Sequence, residues 1–167
     1  MRLLDMSEIS ILVADPSPYM TKIIRAMLRG FGINKIREAG DGAIALEEFK
    51  THTIDIAIFD YALATLDGVE LTELLRADEK SPNRFVPIIM LSAFTEKRRV
   101  VLARDAGISE FLRKPLCARD LYLRLVEVIE HPREFVDTGK YFGPDRRRHL
   151  NDISYVGDER RIDFSEI

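Results

Sequence analysis

Five short apolar segments alternate with five helix-like segments along most of the 167-residue chain. The apolar segments, which have the character of buried strands, lie at 9–15, 35–38, 54–60, 86–92 and 109–113. The helix-like segments that follow them lie at about 18–30, 43–50, 69–77, 96–106 and 119–131, and Ser17 is the expected N-cap of the first. Strands that alternate with helices in this way form a parallel sheet covered on both faces. The predicted fold is therefore α/β, a doubly wound five-stranded parallel sheet.

The composition is that of a globular protein without a membrane span. Hydrophobic residues make up 46% of the chain, which is enough for a packed core. No apolar run approaches the roughly 18 residues that suggest a membrane helix, and the first residues lack the pattern of a secretory signal. The only cysteine, Cys117, has no partner for an internal disulfide, which favours a reducing compartment. We expect a cytoplasmic protein that is not inserted into a membrane.

Four polar residues end or follow the predicted strands. Asp15 ends the first strand, Asp60 ends the third, Ser92 ends the fourth, and Lys114 follows the fifth. Functional groups in open parallel sheets gather beyond the carboxyl ends of the strands, so we expect these four side chains to share one site. No Ser-His-Asp or Cys-His arrangement can be assembled elsewhere. The sequence therefore predicts no enzyme beyond self-phosphorylation.

The order and spacing of these residues resemble the receiver domain of bacterial response regulators, the CheY-like fold. The segments that carry the resemblance are "FDYALATLDG" around Asp60, "MLSA" at Ser92 and "FLRKP" at Lys114. The resemblance implies that Asp60 is the phospho-acceptor, that Ser92 contacts the phosphoryl group and that Lys114 is its counter-charge. It also implies a cis peptide bond between Lys114 and Pro115. We expect this receiver domain to span residues 1–131.

The magnesium site that the resemblance implies lacks one acid. Receivers place two acidic residues side by side at the end of the first strand, whereas this chain has Ala14 and Asp15. Mg²⁺ is usually held by one or two carboxylates together with phosphate oxygens and waters. Asp15 and Asp60 are therefore expected to form a weak Mg²⁺ site. Phe111 takes the place of the family's switching aromatic residue, and we expect it to act as an apolar plug.

The segment 132–167 has few apolar residues and no helix or strand period. Within it, "YFGPDRR" from Tyr141 returns in similar form fourteen residues later as "YVGDERR" from Tyr155. Six basic and six acidic residues lie between 137 and 163, and this balance argues against DNA or non-specific nucleic-acid binding, which requires a strongly basic arm. We expect a disordered arginine-rich tail that folds on ligand binding.

A doubled motif of tyrosine, acid and arginine suits a ligand with two guanines and two phosphates. Arginine binds O6 and N7 of guanine, a carboxylate accepts from N1–H and the amino group, and an aromatic ring stacks on the base. The tail also resembles the arginine-rich extension of the CheY-like cyclic di-GMP effectors, which act at the flagellar motor. That resemblance implies cyclic di-GMP as ligand and a flagellar motor switch protein as partner. The expected ligand contacts are Arg146, Arg147, Arg148, Arg160 and Arg161, helped by Asp145, Asp152, Asp163, Tyr141 and Tyr155.

The alternative is a single-domain response regulator that is controlled by phosphorylation of Asp60 in a two-component phosphorelay. Its partner would be a histidine kinase or phosphotransferase, and the tail would be a spacer. Ligands that bind only the folded state raise its melting temperature. Cyclic di-GMP should raise the melting temperature of a cyclic di-GMP effector, and a phosphoryl mimic such as beryllofluoride should raise that of a phosphorylated response regulator.

Overall fold

A computed structural model describes residues 4–147 of the chain. The strands of its main sheet are β1 (Ser10–Ala14), β2 (Lys35–Ala39), β3 (Ile56–Asp60), β4 (Ile88–Ser92) and β5 (Glu110–Arg113). The helices are α1 (Pro18–Gly30), α2 (Gly42–Thr51), α3 (Gly68–Ala77), α4 (Lys97–Ala106) and α5 (Ala118–Glu130). A short 3₁₀ helix, Pro82–Phe85, precedes β4, and two further strands follow α5: β6 (Phe135–Asp137) and β7 (Phe142–Pro144).

The main sheet is parallel throughout, with strand order β2-β1-β3-β4-β5. The chain starts on β1, adds β2 on one side and then adds the remaining strands on the other side. The carboxyl ends of β1 and β3 therefore lie side by side, with Ala14 opposite Phe59, and this register brings Asp15 next to Asp60. The predicted α/β fold is confirmed.

Two helical layers bury the faces of the sheet. Leu12 and Phe59 point into a core formed with α2, α3 and α4, whereas Val13 and Ile58 point into a core formed with α1 and α5. Because both faces are covered, every residue of the central strands β3 and β4 is buried, which explains their continuous apolar sequence. Within residues 4–147, none of the helices has the length and apolar character needed to cross a bilayer.

Helix caps fix where α1 and α3 begin relative to the sheet. The Met20 N–H donates to Ser17 Oγ, which confirms the predicted cap of α1. Asp67 and Glu70 form a reciprocal capping box at the start of α3. A Cβ on Gly68 would lie only 2.7 Å from the Asp60 carbonyl oxygen, so α3 can begin directly beside the end of β3.

The strands β6 and β7 form an antiparallel hairpin. In its register Phe135 lies opposite Pro144, and Asp137 lies opposite Phe142. Gly139 adopts a φ of +76° in the turn, a conformation that favours glycine. The sequence pattern predicts no strand beyond residue 131, and this prediction is wrong for 135–137 and 142–144. Strands of three residues are too short to show a period, and contacts with the rest of the protein stabilise them.

The hairpin packs at the amino ends of the sheet strands, whereas Asp60 lies at their carboxyl ends. The Phe85 ring lies 5.1 Å from the Phe135 ring and 5.4 Å from the Phe142 ring, measured between centroids. A Cβ on Gly143 would lie 2.9 Å from the Cα of Gly107, which shows how closely the two backbones approach. Phe85 and Gly107 precede β4 and β5, so the hairpin contacts the amino ends of these strands.

Candidate functional site

Asp15, Asp60, Ser92 and Lys114 meet at the carboxyl edge of the sheet, as predicted. The Lys114 Nζ lies 2.7 Å from Asp15 Oδ2 and 2.7 Å from Asp60 Oδ1. The Lys114 N–H donates to the Ser92 carbonyl oxygen at 2.8 Å, which fixes the lysine backbone beside the end of β4. The four residues therefore form one site, while their individual roles stay predictions.

Main-chain N–H groups hold the second oxygen of each carboxylate. The Ser17 N–H donates to Asp15 Oδ1 at 2.8 Å, and the Ala62 N–H donates to Asp60 Oδ2 at 3.0 Å. Both acidic residues are buried, with only 2% of Asp15 and 6% of Asp60 exposed. Buried polar groups need hydrogen-bond partners, and the loops after β1 and β3 supply them to the carboxylate oxygens that Lys114 does not contact.

Lys114 supplies the positive charge of the site. Burial alone would lower the pKa of Lys114, but the hydrogen bonds and charges of Asp15 and Asp60 outweigh that effect and raise the pKa above its ordinary value. The ammonium group is therefore charged at neutral pH and balances one of the two carboxylates. The Lys114–Pro115 peptide bond is cis, which confirms the expectation from the resemblance.

The residues fit a minimal magnesium site. Ala14 is 1% exposed and pairs with Ala39 and Phe59 on the neighbouring strands, so an apolar methyl group stands where receivers carry a second acid. Among residues 4–147, no group of three or more acidic, histidine or cysteine side chains is placed to hold a metal ion. Asp15 and Asp60 still provide two carboxylates, which suffice for Mg²⁺ when phosphate and water complete the shell. The weak Mg²⁺ site stays a prediction.

An arginine between aromatic side chains borders this site and is not among the site residues predicted from the sequence. The guanidinium carbon of Arg99 lies 5.2 Å from the centroid of the Tyr61 ring and 4.9 Å from that of the Phe94 ring. Tyr61 directly follows Asp60, and this adjacency was the available sequence signal. Phe111 is partly buried against the core beneath α2, α3 and α4. Its action as a plug stays a prediction.

The structure describes part of the predicted dinucleotide site. Four of the residues predicted to contact the ligand lie within the described part of the chain, namely Tyr141, Asp145, Arg146 and Arg147. The other predicted contacts lie outside the described residues, namely Arg148, Asp152, Tyr155, Arg160, Arg161 and Asp163. Only the first copy of the doubled motif therefore has a described geometry.

Within this first copy, Arg146 is stacked on Tyr141. The guanidinium carbon of Arg146 lies 3.9 Å from the centroid of the Tyr141 ring. The Tyr141 hydroxyl donates to the Pro144 carbonyl oxygen at 2.9 Å, which fixes the ring against β7. The Arg147 N–H donates to Asp145 Oδ1 at 3.0 Å, so Asp145 stabilises the local turn.

Comparisons with known proteins agree with the fold. Residues 11–126 match the family described as the response regulator receiver domain. The chain is 30% identical over 120 residues to the chemotaxis protein CheY-3 of Vibrio cholerae, which covers 72% of this chain and 91% of that protein. The match to the receiver family ends at residue 126, before β6 and the doubled motif.

Two solved structures show the same fold. The chemotaxis protein CheY4 of Vibrio cholerae superposes with a TM-score of 0.67 at 25% identity, over 72% of this chain and 98% of the other. The receiver domain of a sensor histidine kinase from Pseudomonas aeruginosa superposes with a TM-score of 0.62 at 30% identity, over 71% of this chain and 93% of the other. That receiver was solved with a magnesium ion coordinated in its active site cleft.

Proposed function

This chain belongs to the response regulator receiver family, and we propose that it is a signalling effector whose C-terminal tail captures cyclic di-GMP. The observation that carries the proposal is the doubled motif, "YFGPDRR" at 141–147 and "YVGDERR" at 155–161. Each copy supplies an aromatic ring, acidic and arginine side chains in the same order. These are the groups that recognise guanine and phosphate, and the ligand contains two of each.

The geometry of the first copy supports the proposal. Arg146 lies against the Tyr141 ring at 3.9 Å, and 36% of its side chain is exposed. A guanine base can stack on an exposed guanidinium plane or on an aromatic ring. The Tyr141 ring, held against the hairpin, thus positions the Arg146 guanidinium for stacking. This reduces the entropy cost of ordering the chain on ligand binding.

Two copies account for a useful affinity. A bidentate arginine–guanine pair contributes about 1–3 kcal/mol, and stacking contributes a similar amount per base. Ordering a chain segment on binding costs about 2–5 kcal/mol. One copy therefore nearly breaks even, whereas two copies with phosphate contacts reach the roughly 8 kcal/mol of a micromolar site.

A thermal denaturation experiment tests the ligand. Cyclic di-GMP should raise the melting temperature of the full chain in a concentration-dependent way, because it binds the folded state. Cyclic di-AMP is the matched control, since it keeps the ring of two phosphates but replaces both guanines. A melting temperature that responds equally to both dinucleotides, or to neither, would reject the proposed recognition of guanine.

The proposed partner of the liganded form is a flagellar motor switch protein, through which the effector alters swimming or surface attachment. The support is the likeness of the tail to the CheY-like cyclic di-GMP effectors and the similarity of the receiver to a chemotaxis protein. Co-purification from cells with high and low cyclic di-GMP tests this partner. Recovery of the switch protein should depend on the dinucleotide, and equal recovery in both conditions would contradict the proposal.

A second candidate function is phosphorylation of Asp60 by a histidine kinase or phosphotransferase. It is favoured by Lys114, whose ammonium group lies 2.7 Å from Asp60 Oδ1 and can neutralise charge on an incoming phosphoryl group. A carboxylate oxygen of Asp60 would attack the phosphorus of the partner's phosphohistidine, and the P–N bond would break as the imidazole leaves. The Ser92 hydroxyl lies at the neighbouring strand end. Mg²⁺ held by Asp15 and Asp60 would add positive charge beside the phosphoryl oxygens.

Mass spectrometry tests the phosphorylation of Asp60. Incubation with acetyl phosphate and Mg²⁺ should add one phosphoryl group to the wild-type chain and none to an Asp60→Asn variant. An unchanged mass, or an increase that persists in the variant, would contradict phosphorylation of Asp60.

A further inference from the structure

A receiver residue holds the first arginine of the doubled motif. Asp105, near the C-terminal end of α4, places its Oδ1 2.9 Å from Nη1 of Arg146. The same oxygen lies 3.8 Å from Nε of Arg104. One carboxylate oxygen thus faces two guanidinium groups, an arrangement that a phosphate oxygen also adopts. Because 46% of the Asp105 side chain is exposed, a ligand can reach this contact.

Folded elements hold Arg146 and Asp105 within reach of each other. The Tyr141 ring supports the Arg146 guanidinium from one side at 3.9 Å. The hairpin backbone at Gly143 lies against Gly107, one residue beyond the end of α4, with a separation that leaves no room for a Cβ. The ion pair therefore joins two structured parts of the protein, and its geometry is set by the packing of the hairpin on the receiver.

We propose that Asp105 occupies, in the free protein, the place on Arg146 that cyclic di-GMP takes on binding. This inference rests on the proposed function and extends the dinucleotide site from the tail onto the receiver. The N–H group that Arg146 directs at Asp105 cannot at the same time be fully engaged by a guanine or phosphate oxygen. Asp105 is therefore an internal competitor of the ligand.

The competition links the dinucleotide to helix α4. An ion pair with partly exposed partners contributes little to stability, so the ligand can displace the ion pair between Asp105 and Arg146. We expect the ion pair to weaken the affinity for cyclic di-GMP by about two- to fivefold. Coupling between binding and release is reciprocal, so ligand capture frees Asp105. Since α4 also carries Arg99 beside the Asp60 site, the same helix contacts both candidate sites.

Calorimetric titration of the full chain with cyclic di-GMP tests the competition. Asp105→Asn removes the negative charge and keeps the shape of the side chain, and we expect its Kd to be about two- to fivefold lower than that of the wild type. Glu96→Gln is the matched control. It removes the same charge from the other end of α4, where Glu96 pairs with Arg99 at 2.9 Å, and it should leave the Kd unchanged.

A double-variant comparison assigns the effect to the contact itself. In an Arg146→Ala background, Asp105→Asn should no longer change the Kd, because the two residues act through one interaction. An Asp105→Asn variant with unchanged or weaker binding, or equal tightening by Glu96→Gln, would overturn the competition while leaving the ligand in place. A wild-type chain that binds no cyclic di-GMP would reject the proposed function, and this inference with it.

Discussion

The guanidinium carbon of Arg76 lies 4.9 Å from the centroid of the Phe135 ring, so a side chain of α3 is covered by a strand that follows the last receiver helix. Arg76 is 3% exposed, and its guanidinium donates to the carbonyl oxygens of Gly107, Arg84 and Val86. Burial lowers the pKa of Arg76 to about 10, which leaves it charged at neutral pH. The hairpin therefore belongs to the packing of the receiver.

A chain that ends at Arg133 should be less stable than one that ends at Arg147. The shorter chain lacks Phe135 and Phe142, so Arg76 is uncovered and the Phe85 ring becomes more exposed. The loss of two partly buried aromatic side chains costs about 2–4 kcal/mol. Urea unfolding of both truncations measures the difference, and coincident midpoints would contradict a structural role of the hairpin.

Gly143→Ala should detach the hairpin locally. The added Cβ would lie 2.5 Å from the Tyr141 hydroxyl oxygen and 2.9 Å from the Gly107 Cα, so the backbone must move, at about 1–3 kcal/mol. Gly30→Ala is the control, because a Cβ at Gly30 meets no atom within 4 Å and alanine favours the helix. Thermal denaturation should show a lower melting temperature for Gly143→Ala alone. Equal melting temperatures would disprove the close contact.

Replacement of Lys114 should affect stability in a pH-dependent way. Lys114→Met leaves two buried carboxylates without their shared cation, and we expect it to lower the free energy of unfolding by about 1–3 kcal/mol at pH 7. The folded-state pKa of Lys114 is raised above 10.5. The stabilising contribution of Lys114 is therefore complete below pH 10.5 and is lost as the pH rises through the folded-state value.

Urea unfolding at a series of pH values measures this difference. The gap between wild type and Lys114→Met should stay constant from pH 7 to about 10 and shrink at higher pH. Lys50→Met removes a lysine from an exposed ion pair with Glu47 and should change the free energy of unfolding by less than about 1 kcal/mol. A gap for Lys114→Met that stays undiminished as the pH rises above 10.5 would contradict the coupling to Asp15 and Asp60.

The sequence predicted the sheet and the cluster at its carboxyl edge because both follow from local pattern. Strand period and helix caps place Asp15 and Asp60 at strand ends, and parallel pairing then brings them together. The contact between Asp105 and Arg146 has no such local signal. It arises only because the hairpin packs against the end of α4, and the three-residue strands of that hairpin show no period. The contact between Asp105 and Arg146 therefore depends on tertiary packing, which the local sequence pattern does not predict.

The second copy of the motif should be required for affinity. A double substitution of Arg160 and Arg161 by alanine should weaken cyclic di-GMP binding more than tenfold, because each bidentate arginine–guanine contact contributes about 1–3 kcal/mol. The matched control replaces Lys22 and Arg29, two exposed basic residues of α1, by alanine and removes the same charge. Calorimetry should show near wild-type affinity for the control. Equal losses in both variants would indicate a general electrostatic effect.

Calorimetric titration of two chains with cyclic di-GMP tests the central claim most directly. The full chain and a chain that ends at Arg147 share the receiver and the hairpin, but only the full chain contains both copies of the motif. We predict micromolar binding by the full chain and no measurable binding by the shorter chain. Equal binding by both chains would contradict the need for the second copy, and no binding by the full chain would contradict capture of the dinucleotide by the tail.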